Sequence, residues 1–107
     1  MPNTIPNTTS IEEFNKKIQI ASNNSFSNFS FMFGGTNENI SEIKKIDKLE
    51  VAGIKLFLGS STGKMLIDNV ESIENIFNST SLPISAHCED EQTIKAVSLY
   101  TSDAADE

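Results

Sequence analysis

The chain of 107 residues predicts an α/β protein built on a parallel sheet. Three observations carry this expectation. Helix-period and strand-period stretches alternate along the chain with short connections, which favours βα units over a meander. The run VAGIKLFL, Val51 to Leu58, is apolar almost throughout, as a strand covered on both faces must be. The distinctive polar residues Asn3, Lys55, Ser60-Ser61-Thr62 and His87 fall at or near the expected strand ends, where parallel sheets carry function.

The elements follow in order. MPNTIPNTT, rich in Pro, Asn and Thr, reads as loop. Ser10 and Glu13 have capping-box spacing, and Ile11, Phe14, Ile18 and Ala21 recur at helical spacing, so a helix to about Asn23 follows. Phe26 to Phe33 alternates large apolar residues with Ser and Asn, a strand that stops at Gly34-Gly35. Asn39 and Glu42 repeat the capping spacing ahead of a short helix through Ile40, Ile43 and Ile46. After the strand from Val51 to Leu58 and its loop, Asp68-Asn69-Val70-Glu71 caps a helix carried by Val70, Ile73, Ile76 and Phe77. Leu82 to His87 is the last strand, and CEDEQTIKA opens a helix with acids in its first turn, as the helix dipole favours.

Composition narrows the function. The net charge is -7, and all eight basic residues are lysines, so the chain lacks a basic footprint for nucleic acid. A single cysteine, Cys88, excludes an internal disulfide and suits a reducing compartment. No apolar run approaches the ~20 residues of a membrane helix, and the start lacks a signal-peptide pattern. The expectation is a cytoplasmic protein with a small-molecule substrate and neither nucleic acid nor membrane as partner.

Lys55 is the anomaly. Strand alternation puts Val51, Gly53, Lys55 and Phe57 on one face and Ala52, Ile54, Leu56 and Leu58 on the other. Lys55 either snorkels to water from a frayed strand end, or is a desolvated amine able to serve as nucleophile, Schiff base or carbamate. His87, the only histidine, either satisfies hydrogen bonds at a strand end or ligates a metal; a metal needs further ligands. Its acidic neighbours Glu89, Asp90 and Glu91 are accounted for as a helix first turn. The loop GSSTGKM fails the Walker pattern twice: three residues separate Gly59 from Gly63, and Met65 follows Lys64.

Three stretches, MPNTIPNTT, GIKLFLGSSTGKMLIDN and AHCEDE, together resemble the dihydroorotase family of the amidohydrolase superfamily. The resemblance covers nearly all of residues 1–98. It implies a partial (β/α)8 TIM barrel, roughly units two to five of eight. It also implies two zinc ions per parent chain, bridged by carbamylated Lys55, with His87 as a terminal metal ligand and Asn3 binding the substrate carboxylate. The implied reaction interconverts N-carbamoyl-L-aspartate and dihydroorotate in pyrimidine biosynthesis. The family's first-strand His-x-His and Arg, its sixth-strand His and its eighth-strand Asp have no counterpart here. A whole barrel needs ~200 residues or more. The chain is therefore expected to be an internal fragment, inactive alone, with no catalytic acid or base of its own; the resemblance leaves open whether the parent is a homo-oligomer.

Residues 99–107, LYTSDAADE, depart from the family pattern. They match, residue by residue, the in-frame translation of a transposase-type sequencing adapter, TTA TAC ACA TCT GAC GCT GCC GAC GA, and are expected to be a non-native tail. Sequencing unamplified DNA across this stretch tests that expectation; finding the same codons there refutes it. The rival functions are a hydantoinase or allantoinase, a metal-free non-catalytic barrel homologue, and a free-standing anion-binding module using GSSTGK. Zinc content separates the enzymes from the pseudoenzyme, and phosphate-stabilised cooperative unfolding marks the module.

Overall fold

The computed structural model describes residues 1–47, 50–59 and 63–106. The element order is α1 (Ile11–Asn24), β1 (Phe31–Gly34), α2 (Ile40–Ile43), β2 (Val51–Phe57), a 3-10 turn (Gly63–Met65), α3 (Val70–Ser79), β3 (Ile84–His87) and α4 (Glu91–Asp106). The strands form one parallel sheet in the order β1-β2-β3. The predicted α/β alternation and parallel pairing are present, and the VAGIKLF strand is the middle of the three.

The core lies against the helices on one sheet face. Ile54 and Leu56 are fully buried there with Phe33 and Ile76, joined by Phe14, Ile43 and Ile67. Phe14 of α1 packs on Phe31 and Phe33, with ring centroids 6.5 and 6.2 Å apart respectively, so helix and sheet interlock through aromatic edges. Val51 belongs to this core, which corrects its expected place on the Lys55 face. The cause is an irregularity between Phe31 and Met32: β2 advances two residues, from Val51 to Gly53, against one residue of β1. Ala52 is left exposed without a partner in β1, and the face alternation resets at that point.

Three boundaries differ from the sequence expectation. The β1 strand begins at Phe31 instead of Phe26, because the β2 residues that pair with it begin at Val51; Phe26 is fully exposed. β3 begins at Ile84, just after Pro83, whose carbonyl oxygen accepts the Ile54 N–H. The Asn39–Glu42 capping box does not form. Asn39 makes no side-chain cap bond, and the Glu42 carboxylate instead accepts the Ile11 N–H at 3.1 Å, tying α2 to the start of α1. By contrast, Ser10 Oγ accepts the Glu13 N–H, and Asn69 accepts the Glu71 N–H, as capping predicts.

The helix-distal face of the sheet is only partly covered. The Cα radius of gyration is 16.6 Å, against roughly 13 Å for a closed domain of this length. Among the described residues no helix is long and apolar enough to cross a membrane.

Candidate metal and substrate site

Register decides which polar residues meet. Lys55 lies between Gly34 of β1 and Ser85 of β3, and Phe57 lies opposite His87. Because side chains alternate along a strand, Lys55 and Phe57 of β2 share the helix-distal face with Ser85 and His87 of β3. Lys55 and His87 are thus diagonal neighbours at the carboxyl ends of adjacent strands. Their Cα atoms are roughly 8 Å apart, from strand spacing and rise combined. This is the juxtaposition a shared metal site needs.

Lys55 is half-buried, and its Nζ stands 5.4 Å from the Phe57 ring centroid. The aromatic face offsets part of the amine's lost hydration by cation–π attraction. Among the described residues Lys55 makes no ion pair. His87 is exposed, and its Nε2 contacts Glu89 Oε1 at 2.8 Å. Glu89 was expected to belong to a helix first turn, but α4 starts two residues later, and Glu89 serves as the histidine's partner instead. The i, i+2 spacing leaving a strand, which keeps two side chains on one face, was the available signal.

Asp90 caps α4 in its place: its carboxylate accepts the Thr93 hydroxyl at 2.5 Å and the Gln92 N–H at 3.1 Å. The Thr93 hydroxyl first, and the Gln92 N–H second, hold the Asp90 carboxyl below its usual range. Its stabilising effect on the helix start is present above the ordinary carboxylate pKa of about 4 and is lost as pH falls through the lower folded value.

The loops after β2 and β3 approach closely. Gly59 is buried, and a Cβ there would collide with the Glu89 carbonyl oxygen and sit 2.8 Å from the Glu89 Cβ. A Gly59→Ala substitution is expected to push this segment away and separate Glu89 from His87. The expected cost is about 1–3 kcal/mol, read as a lower thermal midpoint. A midpoint equal to that of the unsubstituted protein would refute the contact.

Asn3 is exposed, but its neighbour Pro2 is buried. The Pro2 side chain lies 3.0 Å from where a Gly34 Cβ would be, beside Met65 and Thr9, so residues 1–9 seat against the end of β1 next to Lys55. The segment is closed by the Thr8 N–H donating to the Pro2 carbonyl at 2.8 Å, and the Gly34 N–H donates to the Thr8 carbonyl at 2.9 Å. The Ile5–Pro6 bond within it is cis. Ser60, Ser61 and Thr62 lie outside the described residues. A cleft of about 440 Å³ opens beside this segment, lined by Thr9, Thr36, Asn39, Lys64 and Asp68 among others.

Among the described residues no three His, Cys, Asp or Glu side chains converge as a metal site. The two candidate donors nevertheless fit a metal pair chemically. Imidazole is a common zinc ligand, and a lysine becomes an anionic oxygen donor once carbamylated.

The site thus defines a class: an α/β protein that gathers an amine, an imidazole and a polar loop at the carboxyl ends of a parallel sheet. No protein-family model matches the chain. Its fold is similar to that of L-hydantoinase (dihydropyrimidinase) from Arthrobacter aurescens, with a TM-score of 0.87 and 27% identity, over 97% of this chain and 24% of that one. Its sequence is 30% identical over 94 residues to dihydroorotase of Methanosphaera stadtmanae, covering 88% of this chain and 20% of the relative. Sequence and fold agree: the chain is similar to dihydroorotase- and hydantoinase-type members of the amidohydrolase superfamily. It spans about a fifth of the length of the curated relative it matches.

Proposed function

We propose that this chain is roughly the second to fifth βα units, residues 1–98, of a zinc-dependent dihydroorotase. In that reading it cyclises N-carbamoyl-L-aspartate to dihydroorotate when joined to the remaining units. The observation that carries the proposal is the register placing Lys55 and His87 diagonally on one sheet face at the strand ends. The partly covered face and the share of the relatives that is spanned both support a larger barrel around it. Barrel closure would also complete the desolvation of Lys55, which three strands leave half-buried.

Each residue has a stated part. Lys55, as its carbamate, and His87 would hold the zinc ions, which supply Lewis-acid polarisation of a ring amide and a nucleophile at neutral pH. Phe57 forms an apolar wall beside Lys55 that limits its rotamers and its access to water. Glu89 orients the His87 ring through its contact with Nε2. Asn3 donates its side-chain amide to a substrate carboxylate. The acid–base group of the reaction lies on other units, and the 107 residues alone are inactive.

The hydantoinase likeness favours a second reading, in which the parent opens a cyclic diamide without a ring carboxylate. The test is to express the full-length parent, measure zinc by elemental analysis, and assay both substrate types. About two zinc ions per chain with turnover of N-carbamoyl-L-aspartate supports dihydroorotase. Turnover of hydantoins alone selects the second reading, and absence of zinc overturns both.

A further inference from the structure

The Asn39 side chain bridges three backbone groups that belong to two separate segments. Its Nδ2 donates to the Gly34 carbonyl at 2.7 Å and to the Thr9 carbonyl at 2.8 Å. Its Oδ1 accepts the Thr36 N–H at 2.8 Å. An amide offers two donors and an acceptor, and all three functions are used. A helix N-cap ordinarily turns its side chain onto its own first turn; Asn39 makes no such bond, although it precedes α2. The side chain is committed to joining the end of β1 to the loop of residues 1–9.

We infer that Asn39 is a positioning residue that sets where Asn3 meets the substrate. The loop has few anchors on the sheet. The Gly34 N–H holds Thr8, Pro2 fills the space beside Gly34, and Asn39 holds Thr9. Thr8 in turn holds Pro2 through its N–H, so Asn3 sits at the far end of a short chain of hydrogen bonds that starts at Asn39. The Gly34 carbonyl bonded by Asn39 belongs to the residue paired with Lys55. One amide therefore references the substrate loop to the strand position beside the candidate metal ligand. A displacement of about 1 Å in such a group is enough to weaken transition-state and substrate contacts.

The inference rests on the proposed reading of Asn3 as a substrate-binding residue, and the experiment separates the two. In the zinc-loaded full-length parent, three variants are compared: Asn39→Asp, Asn39→Ala and Asn3→Ala. Asn39→Asp is isosteric and keeps the acceptor for Thr36 while losing both donors. The expected result is a KM for N-carbamoyl-L-aspartate about tenfold higher in both Asn39 variants, with kcat changed less than about threefold and zinc content unaltered. Asn3→Ala should raise KM at least as much, and combining it with Asn39→Asp should add little, because both act through one contact. Asn39 variants with unchanged KM, beside an Asn3→Ala that raises it, overturn the inference alone. Loss of zinc or of kcat in Asn39→Asp also overturns it, since the residue is then structural. An Asn3→Ala variant with unchanged KM overturns the reading of the site, and the inference with it.

Discussion

In the full-length parent, Lys55→Met is expected to lower kcat/KM by at least about a thousandfold and to remove zinc from the isolated protein. Methionine keeps the length and apolar stem of the side chain but cannot take up CO2. Lys55→Arg is expected to fail just as completely. Arginine keeps the cation over the Phe57 ring yet cannot serve as an anionic oxygen ligand. The pair of variants is decisive because the alternatives diverge on it. A lysine that merely snorkels from the strand to water is replaced by arginine with little loss. Near-normal zinc and turnover in Lys55→Arg would therefore refute the metal-bridging role. The cation–π contact with Phe57 contributes only about 0.5–2 kcal/mol by itself, so a larger loss of stability in Lys55→Met would reflect the lost zinc.

The largest effect on folding is expected one residue along, on the opposite face of the same strand. Leu56 is fully buried, and its Cδ2 lies only 2.5 Å from where a Cβ on Gly35 would be. Ile76 of α3 closes the same space from the helix side. Leu56→Ala should cost about 2–5 kcal/mol, since the cavity has buried aliphatic neighbours on every side and little room to collapse. Urea unfolding of the full-length parent measures it as a lower midpoint at unchanged slope. A loss below about 1 kcal/mol would mean that the helix layer repacks freely, contrary to the close contacts around Gly35. Adjacent positions on β2 thus separate chemistry from stability.

Much of this was legible from spacing. The central strand, the helix starts at Ser10 and Asn69, and the short fused set of buried aliphatics follow from period and capping alone. The family resemblance pointed to Lys55 and His87, and the register supplies their adjacency. Other features left no mark in the sequence that spacing rules read correctly. Asn39 and Glu42 have the right separation for a capping box, but each finds a partner about thirty positions away, at Thr9 and Ile11. A local motif competes with distant backbone groups, and here the distant groups prevail because the α1 and β1 termini present unpaired donors and acceptors at that spot. Glu89 was assigned to a helix that begins only after Asp90, since a run of acids does not reveal which of them caps.

What the sequence by itself determined is the order and type of the elements and the identity of the residues with chemistry to offer. Hydrophobic period and cap chemistry act within a few residues, so they are written locally. Tertiary structure alone decided the face that Val51 takes, the pairing of Phe57 with His87, and the docking of residues 1–9 beside Gly34. Those depend on strand register and on hydrogen bonds between segments far apart in the chain. A one-residue irregularity in β2 was sufficient to move Val51 into the core while Lys55 stayed on the open face with His87.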